Sequence, residues 1–344
     1  STVAGIDRAL RLKNIYPRIR PFDEHSAFTW VRGYSLTQEK WIWFPVHLMT
    51  VNPSFQEELK RRNEPFLRFP ISTGFAAGQT SEEAIYRGIC EVIERDAYML
   101  TYLNRISPPQ IDLNDFKKPE LAGIKQKCER YGLTLNLLRL PTDVPCHVIL
   151  AFITSQDKQS PYFSIGMKAD LDIENAAEGA IRESLNQRIN YRFKLDYLDR
   201  SKIPAPEEVA KINQFERVDL WQTRPEFLSR IEFLTRGIRQ NFDTFPHYLD
   251  LDSSCAQKIV FLMKFFRENK MEVVYKENTT PNLVKIYQNE PWAVRSFGVF
   301  IPQLQPLHLK ESIPYFSGER IKKVPRKLGY DVDNSINTFP HPFP

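Results

Sequence analysis

Strand-like runs in this chain come in neighbouring pairs joined by short polar gaps, and that pairing constrains the fold more than any other feature. Phe28 to Tyr34 and Trp41 to Thr50, rich in aromatic and β-branched residues, flank Ser35 to Lys40, the pattern of a hairpin. Leu133 to Leu140 and Cys146 to Thr154 make a second pair, and Pro161 to Gly166 is a third run. Parallel strands need a crossover of roughly a dozen residues or more, so gaps this short dictate antiparallel pairing. Helical spacing marks Ser54 to Asn63 behind Pro53, Thr80 to Tyr98, Lys117 to Tyr131, Asp172 to Tyr197 and Ala256 to Asn269. Glu272 to Lys276 and Ala293 to Ile301 read as further strands, and Pro204-Ala-Pro206 as a connection. The expected class is α+β, antiparallel-rich sheets packed with helices, rather than a doubly wound parallel sheet.

Composition removes several functions. The longest apolar run, Trp41 to Val51, contains His47 and is far short of the roughly 18 residues a membrane span needs. The N-terminus has no apolar h-region, so no secretory signal is expected. Cys90, Cys128, Cys146 and Cys255 form no CxxC pair. A zinc ribbon or redox motif is therefore not expected, and the expected setting is the reducing cytoplasm. The net charge of +5 suits an anionic ligand without demanding nucleic acid. Basic runs such as Lys60-Arg-Arg62 and Lys322-Lys-Val-Pro-Arg-Lys327 lack the aromatic interleaving of a nucleic-acid binder.

Two helical segments carry chemistry. Thr80 with Glu83 three residues on is a capping box that starts the first. On that helix Ala84, Gly88, Glu91, Glu94, Arg95 and Tyr98 share a face, beside an apolar stripe of Ile85, Ile89, Val92 and Ile93. Two carboxylates a turn apart repel unless a cation lies between them, and hard divalent ions take oxygen ligands. The alternative is a solvated face with a Glu91–Arg95 surface pair. In the second helix Glu183 and Gln187 share a face with Ala176 and Ala180 or Gly179, with Arg182 alongside. Small residues on both helices allow a ligand or another chain to come close. Together the two acidic patches are suited to magnesium, with the arginines and Gln187 reaching phosphate oxygens. No Walker-type Gly-x-x-x-x-Gly-Lys-Ser/Thr is present, so a P-loop is excluded. His47 and His147 sit in apolar strand-like runs and read as core or rim residues. Cys146 and His147 would face opposite sides of a strand, which disfavours a Cys–His nucleophile pair. The chain ends in Pro340-His-Pro342-Phe-Pro344. Alternating prolines favour an extended tail able to dock, the alternative being a disordered end.

The run Ser72-Thr-Gly-Phe-Ala-Ala-Gly-Gln-Thr-Ser-Glu-Glu-Ala-Ile-Tyr-Arg-Gly-Ile-Cys-Glu-Val-Ile-Glu-Arg-Asp-Ala97 closely resembles the signature of YcaO-family proteins. Glu183-x-x-x-Gln187, Ile301-Pro-Gln-Leu-Gln-Pro306 and the terminal Pro-x-Pro-x-Pro resemble the same family, the last pointing to its azoline-forming cyclodehydratase branch. The resemblance implies a YcaO-like fold with an ATP site between helices and no P-loop. It implies Glu91, Glu94 and Glu183 as magnesium ligands. Arg95, Arg182, Gln187 and Ser72 would hold the nucleotide, and the carboxylate of Pro344 would act at the reacting centre. The implied reaction is ATP-dependent closure of Cys, Ser or Thr residues of a ribosomally made precursor peptide to thiazoline or oxazoline. A relative using an external nucleophile (thioamide or macroamidine formation) and a non-catalytic peptide- or subunit-binding scaffold are the alternatives. Implied partners are the precursor peptide, a leader-binding protein or domain resembling ubiquitin-activating enzymes, and an FMN dehydrogenase; no nucleic acid or membrane is implied. Residues 1–330 would form the YcaO domain, and 331–344 a proline-rich tail reaching the active site. Family members usually carry a Gly-Lys-Gly stretch and an earlier Ser-x-x-x-Glu-x-x-Glu-Arg helix. Nothing before Ser72 matches these, and there is no initiator Met, so the domain is expected to lack its front part, the alternative being a genuine loss that leaves half a nucleotide site and an inactive scaffold.

Overall fold

A computed structural model describes residues 24–343 except 66, 68, 69, 120, 122, 156–160, 200, 202, 204–211, 213, 242, 243, 251, 281, 283–293, 310–314, 316 and 317. Pro344 and the Pro204-Ala-Pro206 connection thus lie outside the described residues. In chain order the main elements are β1 (Trp30–Ser35), β2 (Lys40–Pro45), α1 (Pro53–Arg61), β3 (Phe75–Gly78), α2 (Ser81–Leu103), β4 (Gln110–Ile111) and α3 (Ile124–Arg130). There follow β5 (Leu133–Leu140), β6 (His147–Ser155), β7 (Phe163–Asp170), α4 (Ile173–Leu195), α5 (Gln214–Thr223), α6 (Cys255–Glu268), β8 (Val274–Glu277), β9 (Arg295–Phe300) and α7 (Arg320–Lys327). No described helix is long and apolar enough to cross a membrane.

The chain divides into two compact units. The first combines Ser1–Asp96 with Asp252–Leu309 and Ile313–Arg320. Its sheet runs β2-β1-β8-β9-β3, with every neighbouring pair antiparallel. The expected hairpin is present, Trp30 opposite Pro45 and Ser35 opposite Lys40. One face of the sheet buries Phe44, Leu48, Met49 and Val274. Asn52 caps α1, its Oδ1 accepting from the Ser54 and Phe55 amides, with Pro53 in the first turn. A reciprocal Ser254–Gln257 capping box starts α6. In the last turn of α6, Arg267 donates to the Leu36 and Thr37 carbonyls and clamps the hairpin turn. His47 is buried, 3.8 Å from Glu64.

The second unit comprises Ala97–Leu251, Lys310–Ser312 and Ile321–Pro344. Its sheet, β4-β5-β6-β7, is also antiparallel throughout. β6 is buried from His147 to Ile153, and β7 runs on to Asp170, past the Gly166 end expected from sequence. Asp172 caps α4 by accepting from the Glu174 and Asn175 amides. The first half of α4 is small and fully buried at Ala176, Ala177 and Ala180. The helix expected over Lys117 to Tyr131 is confined to Ile124–Arg130. Gly123 takes φ +73 at its start, a left-handed turn that the helix cannot run through.

The proline-rich tail is ordered within this unit up to Phe343 rather than a loose end. The Tyr102 hydroxyl and the Trp221 indole N–H both donate to the Pro340 carbonyl, at 3.0 and 3.2 Å. His341 and Phe343 are buried against the Tyr98 ring. The Asn337 amide adds a bond to the Leu103 carbonyl.

Candidate functional site

In the first unit the site grows from the contact of α2 with the sheet. Gly74 has φ +87 and hands its N–H to Glu91 Oε2 at 3.1 Å. Gly88, on the same helix face, has no room for a side chain: a Cβ there would stand 2.7 Å from Val299 Cγ2 and 2.8 Å from the Gly74 carbonyl oxygen. The small residues of this face therefore let the strands approach, where the sequence reading had assigned them to a ligand or second chain. Arg95 lies between the two acids, 3.5 Å from Glu91 and hydrogen-bonded to Glu94. Glu94 is buried and Glu91 half-buried. So Glu91, Glu94 and Arg95 do come together, largely withdrawn from solvent, and the solvated-face alternative does not describe them. Ser72 is exposed two residues ahead of Gly74, its carbonyl accepting from the Phe75 amide. At the start of the helix Thr80 Oγ1 accepts from the Glu83 amide, but the Glu83 carboxylate reaches back to the Gln79 amide rather than to Thr80.

In the second unit α4 meets β7 in the same way. A Cβ on Gly166 would lie 2.4 Å from the Ala180 carbonyl oxygen and 2.4 Å from the Ser184 nitrogen, so helix and strand touch main chain to main chain. Glu183 Oε2 accepts from the Met167 amide and Gln187 Oε1 from the Ile165 amide, each at 2.6 Å. The two acceptors cap alternate N–H groups on the open edge of β7, the strand at the end of its sheet. Arg182 is turned outward, 69% exposed, and pairs with Glu178 at 3.6 Å.

One buried residue escaped the sequence reading. Asp96, directly after the Glu-Arg pair, is fully buried. It accepts from the Gln305 amide at 2.7 Å and from Arg320 Nε and Nη2 at 2.6 and 2.7 Å. It ties the Ile301–Pro306 segment to the helix that carries Glu91 and Glu94. The available signal was a charged residue set among Val92, Ile93, Ala97 and Met99 on the apolar side of the helix.

Taken unit by unit, the groups present are of kinds that suit a magnesium-bound nucleotide. With Oε1 committed to the Ile165 amide, the Gln187 Nε2 is buried and has no acceptor among the described residues. An orphaned donor of this kind costs about 1–3 kcal/mol, and a phosphate oxygen is an acceptor that completes it. Among the described residues no group of three or more His, Cys, Asp and Glu side chains is placed to hold a metal. The acids occur as the Glu91/Glu94 pair in the first unit and as Glu183 in the second, each considered by itself. Such a supply suits an ion bound by one or two carboxylates, with phosphate oxygens and water filling its remaining positions, as magnesium is.

Residues 7–305 match a family model described as YcaO cyclodehydratase, ATP- and Mg2+-binding; that match begins well ahead of Ser72. A curated protein of Methanothermobacter thermautotrophicus is 24% identical over 209 residues, 55% of this chain and 53% of its own length. The chain thus spans about half the length of that relative. A heterocyclase in complex with substrate and cofactor superimposes with a TM-score of 0.75 at 20% identity, covering 99% of this chain and 43% of that one. The YcaO protein of Methanopyrus kandleri bound with AMPPCP and Mg2+ gives a TM-score of 0.59 at 18% identity, covering 85% and 69%. With the family signature spanning most of the sequence and the same fold beneath it, this chain belongs to the YcaO family.

Proposed function

We propose that this chain carries the catalytic domain of an ATP-dependent peptide cyclodehydratase. A Cys, Ser or Thr side chain of the substrate peptide attacks the preceding backbone carbonyl, and the oxyanion formed takes the γ-phosphoryl group of ATP. Phosphate then leaves with the former amide oxygen as the amide nitrogen gives up its proton and forms the C=N bond, giving thiazoline or oxazoline, ADP and phosphate. An amide oxygen leaves poorly unaided, and its phosphorylation is what ATP is needed for. Glu91, Glu94 and Glu183 are assigned to magnesium, which when bound would offset charge on the triphosphate. Arg95 and the Gln187 amide donate to phosphate oxygens; Ser72 and Arg182 are assigned to the nucleotide more peripherally. The observation that carries this reading is the Gln187 side chain, whose Oε1 is held by the Ile165 amide while its buried Nε2 donor has no acceptor among the described residues. The docked tail supports the azoline-forming branch over external-nucleophile chemistry, with the Pro344 carboxylate as the group acting at the reacting centre. The peptide, a leader-binding partner and a flavin dehydrogenase are the proposed associates, and the cytoplasm the proposed setting.

Incubation of the protein with a candidate precursor peptide, its leader-binding partner, ATP and magnesium, followed by mass spectrometry, tests the proposal. Each ring removes one water and releases one phosphate. Glu91→Ala and Glu94→Ala should abolish both while the fold is retained. Wild-type protein that binds no magnesium–ATP, or variants that still form rings, would refute the assignment.

A further inference from the structure

The sheet of the first unit ends in an open edge. β2 stands at the end of the strand order and pairs with β1. The Val46 amide donates to the Thr29 carbonyl and, on the other side of β1, the Leu36 amide donates to the Val273 carbonyl. Backbone groups along an antiparallel strand point alternately to its two sides. With the observed register, residues 40, 42 and 44 therefore bond to β1. The N–H and C=O of Trp41 and Trp43 point away from the sheet. Pro45 follows with no N–H to offer, so the open stretch stops there.

The same two residues are exposed in their side chains, Trp41 by 56% and Trp43 by 65%, with Trp30 at 51%. Alternation along the paired strands puts Trp30, Arg32, Tyr34, Trp41 and Trp43 on one face. Trp41 packs edge-on against Tyr34, ring centroids 5.4 Å apart. The exposed Arg32 reaches over the outer strand, its guanidinium 4.4 Å from the Trp41 ring centroid. Lys40 is exposed on the opposite face. The two strands hold these cations and no Asp or Glu, and Glu39 in the turn between them is taken by Arg267. Exposed tryptophan and arginine gathered together are what interface centres are made of. Pairing of two copies through β2 would bring both sets of cations to one seam with no strand carboxylate to meet them, so charge disfavours self-pairing and favours an acidic strand.

We propose that β2 is a docking edge for an extended, acidic segment of a protein partner, which adds to the sheet as a further strand. Trp41 and Trp43 each present one main-chain donor and one acceptor to it. The indoles take apolar parts of its side chains, and its carboxylates meet Arg32 on one face and Lys40 on the other. The inference does not depend on the nucleotide assignment.

The test is titration of the full chain with the peptide acetyl-(Glu-Val)4-amide and, as its cationic counterpart, acetyl-(Lys-Val)4-amide. Tryptophan fluorescence reads binding, and amide hydrogen exchange reads strand pairing. Saturable binding of the acidic peptide alone is expected. Exchange should slow about tenfold or more at the Trp41 and Trp43 amides and change little at Ile42 and Phe44, which already bond to β1. Binding should weaken about fivefold or more in the double variant Arg32→Gln/Lys40→Gln. It should persist in Arg62→Gln, a surface cation that pairs with Glu58. No saturable binding, equal binding of the lysine peptide, undiminished binding in the double variant, or binding without slowed exchange at Trp41 and Trp43 would overturn the proposal. So would protection of those two amides by self-association in the absence of peptide.

Discussion

The Asp96 carboxylate grips Arg320 with both oxygens, at 2.6 Å to Nε and 2.7 Å to Nη2, and the aspartate is entirely shielded from water. Breaking a buried pair by removing one partner strands the other charge and costs about 3–5 kcal/mol. Asp96→Asn is expected to lower unfolding free energy by that order in urea denaturation. It should also loosen the Ile301–Pro306 segment, seen as faster exchange of the Gln305 amide.

Gln187→Glu separates the structural role of that residue from the nucleotide-binding role proposed for it. The carboxylate retains an acceptor for the Ile165 amide, but it places an uncompensated charge at a buried position, so thermal unfolding should move to lower temperature while the fold is kept. The Nε2 donor is replaced by a negatively charged oxygen. Hydrogen bonds to charged groups contribute about 1.5–3 kcal/mol, so affinity for magnesium–ATP should fall roughly 10- to 100-fold. Calorimetric titration alongside thermal unfolding reads both.

His147 makes stability depend on acid. Its pKa is about 3 folded against 6.5 as the reference, so between those values the unfolded chain binds a proton that the folded chain does not. The stabilisation is whole above pH 6.5 and is lost as pH falls towards 3, at up to about 1.4 kcal/mol per pH unit. Arg139 and His247 act on the ring in the same direction as burial, while the Pro246 carbonyl opposes it. Urea midpoints measured from pH 7 to 4 should fall less steeply in His147→Gln than in wild type.

The tail should come loose when its two anchors on Pro340 are cut. Tyr102→Phe and Trp221→Phe each remove one donor to the same carbonyl, at about 1 kcal/mol per bond. The double variant is expected to be trimmed by carboxypeptidase well before wild type, and to lose ring formation while keeping magnesium–ATP binding.

Most of the architecture could be read from residue patterns because its signals are local. Leu133–Leu140 and the Asp172-capped helix depend on alternation, periodicity and a cap, all within a few residues. The Glu91/Arg95 and Glu183/Gln187 faces follow from i, i+4 spacing alone. What the sequence hid are relationships between distant positions. Arg320 lies 224 residues from Asp96, and Trp221 lies 119 from the Pro340 carbonyl it binds. Spacing on one helix also cannot say what the small residues Gly88 and Ala180 stand against. Only the assembled sheets reveal that Gly88 stands against Val299 and the Gly74 carbonyl, and Ala180 against Gly166. At Lys117 to Tyr131 the apolar periodicity was outweighed by one left-handed glycine.

The glycine contacts have a consequence for how these positions tolerate change. Where α4 rests on Gly166 and α2 on Gly74, the spacing between helix and strand is set by peptide units, not by interchangeable hydrocarbon groups. Substitutions elsewhere in the hydrophobic interior can swap one aliphatic shape for another without carrying Glu91 or Glu183 with them. Drift in the rest of the sequence can therefore run far while the acidic groups stay in register, and even a single methyl group at Gly166 would push a whole helix off its seat.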